Sequence, residues 1–140
     1  IAKMELVKQG VDLHTPTLTQ YVAAEALKKG IIDRNIPRIK RLYREKRDAM
    51  IQALEKYMPE GTRWTRPIGG MFIWVWLPEK INARALLQKA LEYGVAFVPG
   101  DSFYPNGGGE NTMRLNFSYP TPEQIEEGIK RLAKAIKEML

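Results

Sequence analysis

Arg114 is the residue of this chain whose type and setting point most directly to chemistry. It lies in Asn111-Thr112-Met113-Arg114-Leu115-Asn116-Phe117-Ser118, where Met113, Leu115 and Phe117 alternate with Arg114, Asn116 and Ser118. Period-two alternation predicts a half-buried strand. A charge in mid-strand resists burial unless something pairs with it. A guanidinium presents a planar fork of donors that matches a carboxylate or phosphate. Arg114 is therefore a candidate anion clamp, set against the commoner reading of a strand arginine that is solvated or paired with a nearby acid.

The elements that must hold this arginine can be read along the chain. Thr15-Pro16 opens a helix that Gly30 closes, and a long helix is predicted from about Arg34 to Met58, with Pro37 in its first turn. A strand covers about Thr62 to Arg66. A second, from Met71 to Leu77, is apolar on both faces, which predicts a central position covered on both sides. Asn82 caps a helix that ends at Gly94, Val95 to Val98 forms a short strand, and Thr112 to Ser118 forms the last. Thr121-Pro122-Glu123-Gln124 is a capping box opening the final helix. Ile1 to Gly10 reads as the tail of a helix ended by glycine, without an initiator methionine or N-cap, which predicts a piece of a longer protein. This order predicts an α+β fold: a small, mainly antiparallel sheet with helices packed on one side.

Composition narrows the function classes. The chain has 140 residues, 44% hydrophobic and 27% charged, in the range of globular domains. It has no cysteine and one histidine, His14, so disulfides, thiolate sites and a histidine-rich metal centre are excluded within one chain. No apolar run approaches the ~20 residues of a membrane-spanning helix. The net charge of +6 is concentrated in Arg34, Arg38, Lys40, Arg41, Arg44, Lys46 and Arg47. That run reads as the solvated face of the long helix, and as a nucleic-acid footprint it lacks an accompanying motif. Gly107-Gly108-Gly109 is not a phosphate loop, because no Gly-Lys-Ser/Thr follows it.

Three segments in order, Pro67-Ile68-Gly69-Gly70-Met71-Phe72-Ile73-Trp74, Gly94-Val95-Ala96-Phe97-Val98-Pro99-Gly100-Asp101-Ser102-Phe103 and Asn111 to Phe117, resemble the C-terminal region of fold-type I (class I/II) pyridoxal-phosphate aminotransferases. The likeness is to the branch acting on aromatic amino acids, 2-aminoadipate or kynurenine, and it extends over nearly the whole chain. It implies that Arg114 grips the α-carboxylate of an amino-acid substrate. Asn116 and Ser118 are then candidates to hold that arginine, Phe103 to line its pocket, and Gly69 and Gly70 to shape a loop near the cleft. It implies residues 1–30 as a remnant of the large cofactor-binding domain with the interdomain hinge, and residues 31–140 as the small C-terminal domain. The cofactor would be pyridoxal 5′-phosphate in the parent enzyme. None is expected bound covalently to this segment, because no lysine here has a Ser-x-x-Lys or Ser-x-Lys setting. The segment should thus supply no catalytic residue and be inactive alone. The expected partners are a small amino acid or 2-oxo acid, the large domain and a second copy in a cytoplasmic homodimer, with neither nucleic acid nor membrane. A stand-alone amino-acid-binding or regulatory module, a basic nucleic-acid-binding domain and a scaffolding piece remain as alternatives.

Overall fold

The computed structural model describes residues 1–140 as two compact units, Ile1–Lys40 and Arg41–Leu140. In the first, α1 (Ala2–Val11) and α2 (Thr17–Lys28) bury no residue. Gly10 lies inside α1 instead of ending it, and the chain leaves the helix at Asp12, followed by Leu13 at φ 58°. An ion pair from Lys8 to Asp12 crosses the last turn of α1. Pro16 occupies the N-cap position of α2. The third helix, α3 (Ile31–Tyr57), starts three residues earlier than the sequence predicts, and the division between the units falls within it. The Arg34 amide donates to the Gly30 carbonyl, so the helix is under way before Pro37, which sits in the second turn.

The second unit carries the sheet. Its strands are β1 (Arg63–Trp64), β2 (Phe72–Trp76), β3 (Val98–Pro99) and β4 (Thr112–Asn116), in the spatial order β1-β2-β4-β3, with every pairing antiparallel. The α+β fold with a small antiparallel sheet is as expected. Helix α4 (Ala83–Glu92) is capped by Asn82, whose Oδ1 accepts from the Arg84 and Ala85 amides. The predicted box opens α5 (Pro122–Lys137), with Thr121 and Gln124 bonding reciprocally.

Ile73 and Val75 of β2 and Met113 and Leu115 of β4 are buried with Met50 and Leu54 of α3, Leu86 of α4, and Ile129 and Leu132 of α5. These residues place the helices on one face of the sheet. The other face is not covered as the sequence predicts for β2. Phe72, Trp74 and Trp76 remain partly exposed there. The strand expected at Val95 to Val98 also shortens. The Val95 amide donates to the Ala90 carbonyl and so closes α4, and pairing begins only at Val98.

Candidate functional site around Arg114

Cross-strand register decides what surrounds Arg114. It lies opposite Trp74 of β2 on one flank and Val98 of β3 on the other. Successive side chains of a strand leave opposite faces, so burying Met113 and Leu115 among the helices turns Arg114 to the outer face. Phe72 opposes Asn116, one pair further along the same face. Its ring centroid lies 4.1 Å from the Arg114 Cζ, and that of Phe103, in the 3-10 turn Gly100–Phe103 after β3, lies 4.7 Å away. Trp74 meets Phe103 edge to face at 5.5 Å and Tyr104 at 6.3 Å. The outcome is a half-buried guanidinium within an aromatic cluster.

No acid neutralises this charge. Arg114 takes part in none of the ion pairs of the chain, and its buried Nε has no hydrogen-bond partner. A cation without an acid among aromatic faces gains attraction from the ring quadrupoles and keeps its donors free for an incoming anion.

The ends of β4 are held from both sides. At its start the Asn111 Nδ2 donates to the Leu77 carbonyl and the Thr112 hydroxyl to the Gly109 carbonyl. Beyond its end, the Lys46 ammonium donates to the Ser118 carbonyl at 2.8 Å and the Tyr119 carbonyl at 3.0 Å. Lys46 is buried, contrary to the reading of the basic run as a wholly solvated face. The carbonyls past the strand have no ladder partners, and a lysine tip drawn inward satisfies them. Arg47 also leaves that face: it pairs with Asp48 and donates to the Pro67 carbonyl at 3.3 Å.

The other sequence candidates divide. Phe103 lies against Arg114 and also braces its own turn through Trp74. Asn116 and Ser118 do not hold the guanidinium: the Ser118 amide and hydroxyl both donate to the Asn116 Oδ1, at 2.7 Å each. A short polar side chain beside a free backbone amide closes a local turn before it reaches a neighbour. Gly69 and Gly70 are exposed, and a Cβ on either would meet nothing within 4 Å. Gly70 therefore serves the backbone, at φ +81°, and not a close approach. Nothing in the sequence marks Phe72 as a site residue; its context matches a buried strand, and only its diagonal relation to Arg114 in the sheet brings it there. A groove of about 820 Å³ lined by Tyr57, Tyr93, Arg131 and Lys134 shares no residue with this cluster.

The family model for aminotransferase class I and II matches residues 1–132. The chain belongs to this family. It is 51% identical to aromatic-amino-acid aminotransferase 1 of Thermococcus litoralis, over 99% of this chain and 33% of that protein. To the 2-aminoadipate transaminase of Thermus thermophilus it is 49% identical, over 100% of this chain and 35% of that one. A crystal structure of the kynurenine aminotransferase of Pyrococcus horikoshii superposes with a TM-score of 0.91 at 50% identity, covering 99% of this chain and 34% of that one. The chain thus spans about a third of the length of the aminotransferases it matches. The readings as regulatory module, nucleic-acid binder or scaffold gain no support from these matches. No helix is long and apolar enough to cross a membrane.

The family implies pyridoxal phosphate, and the residues around Arg114 do not fit it. Phe72 and Phe103 offer neither a donor for the phosphate nor a base. Lys46, the buried lysine, already donates to two carbonyls. No covalent anchor for the cofactor is built from these side chains.

Proposed function

We propose that this chain supplies the substrate-carboxylate clamp of an aminotransferase that moves an amino group between an amino acid and a 2-oxo acid. The observation that carries the reading is the half-buried Arg114 guanidinium, set among aromatic rings and paired with no acid of this chain. An amino acid and a 2-oxo acid share one feature, an α-carboxylate, and a fork of N–H donors grips that group in two places at once. Two-point attachment sets both position and angle of the reacting carbon, which is how binding contributes to rate. Pyridoxal 5′-phosphate, the electron sink of the chemistry, would be held by other parts of the whole protein, and this chain alone would neither hold it covalently nor transaminate. The likeness to an aromatic-amino-acid aminotransferase, a 2-aminoadipate transaminase and a kynurenine aminotransferase favours aromatic amino acids, 2-aminoadipate or kynurenine as donors. The reading includes residues 1–30 as the end of a large domain with its hinge, residues 31–140 as the small domain, and a cytoplasmic homodimer.

The test is Arg114→Lys in the full-length enzyme. Lysine keeps the charge and loses the fork, so KM should rise and kcat/KM fall by about a hundredfold for every amino donor. Steady-state kinetics with several donors and acceptors would measure it. Unchanged kinetics would remove Arg114 from the site.

A further inference from the structure

What orients Arg114 is a pair of rings. Phe72 reaches the guanidinium from β2 and Phe103 from the turn after β3, and these strands flank β4 on its two sides. Trp74, directly opposite Arg114 in the register, braces the second ring edge-on. The Nε is buried without a hydrogen-bond partner, and no carboxylate fixes the side chain. A long arginine left to itself samples many rotamers, and ordering it carries an entropic cost. Rings packed on its planar group reduce that freedom before any ligand arrives. The donors of a guanidinium lie along its edge, so an anion meets it there and not through the face.

We infer that Phe72 and Phe103 are positioning residues, two aromatic walls that fix the plane of the Arg114 guanidinium so that its N–H edge meets a substrate carboxylate. The inference rests on the reading of Arg114 as the clamp. It separates these phenylalanines from residues that merely line a pocket, because a wall acting through arginine affects every carboxylate ligand equally, whatever its side chain. Both rings are part-exposed, Phe72 at 37% and Phe103 at 47%, so trimming them leaves the helix-side core intact.

The experiment is steady-state kinetics of the full-length enzyme carrying Phe72→Leu, Phe103→Leu or both, beside Phe72→Tyr and Phe103→Tyr. Amino donors with small, acidic and aromatic side chains, and a 2-oxo acid acceptor, are compared. Each leucine variant should raise KM about fivefold for all ligands alike, the scale of a lost cation–ring contact, with kcat little changed. The tyrosine variants keep the ring and should stay close to the parent. If a leucine variant melts early, Phe72→Met and Phe103→Met, near in volume and without a ring, repeat the comparison. A KM rise confined to donors with apolar side chains would overturn the inference, since the rings would then touch substrate directly. So would unchanged KM in both leucine variants while Arg114→Lys raises it, a result that leaves the clamp standing. Unchanged KM in Arg114→Lys as well would sink the clamp reading itself.

Discussion

The two faces of the sheet share the same strands and differ in what holds them. On the helix side Ile73, Val75, Met113 and Leu115 are buried among side chains of α3, α4 and α5. On the outer side Phe72, Trp74, Phe103 and Arg114 are part-exposed and meet one another. The first face is stabilised by removing apolar area from water, a term that depends on volume and fit. The second depends on the mutual orientation of a cation and rings, which contributes less to stability. Division of labour across one sheet lets the site change while the core stays as it is.

That contrast can be broken at several points. Leu115→Ala, on the buried side of β4, should lower unfolding stability by about 3 kcal/mol, because a buried leucine leaves a cavity. Phe103→Leu on the outer side should change it far less. Urea denaturation of both variants measures the difference, and equal losses would erase the distinction between the faces. Gly100→Ala comes next. A Cβ at Gly100 would lie 2.0 Å from the Thr112 Oγ1 and 2.8 Å from the Trp74 Cζ2. The turn bearing Phe103 has to move, with a loss of about 2 kcal/mol from overpacking. Full stability of Gly100→Ala in the same titration would mean that this turn does not press on β4 and Trp74.

The smallest effect belongs to the rim. The Arg84 guanidinium pairs with Asp101 and, with the Ser102 amide, holds its carboxyl below the ordinary carboxylate range. A pKa lowered by folding adds stability above the unfolded value and loses it as pH falls through the folded one. Arg84→Ala should therefore melt slightly lower than the parent at neutral pH, and the gap should close as pH drops below about 3.8. Thermal melts at several pH values give the result, and a gap that persists in acid would point to packing of the Arg84 stem instead.

Much of this site was legible residue by residue, and the misses have physical causes. Alternation around Arg114 placed it correctly on the less buried side of β4, since a strand has only two faces and the apolar set claims one. Asn82 and Thr121 marked their helix starts because capping is satisfied within a few residues. Asn116 and Ser118 share a face with Arg114, yet same-face position does not outweigh a turn that each can close with the other. Lys46 looked like one more surface cation, and nothing near it in the chain announces the two distant carbonyls that draw it in. Phe72 sat in an apolar run that reads equally well as core.

By itself, the sequence determined the alternating strand, the capped helices, the absence of thiol chemistry and the arginine as the group to watch. Each of these follows from interactions between near neighbours or from composition alone. Only the tertiary structure decided that β2 and β3 flank β4, that Phe72 and Phe103 therefore converge on one guanidinium, and that no acid reaches it. Strand order and diagonal contacts come from the packing of the whole sheet on its helices, and no local pattern records which strand becomes whose neighbour.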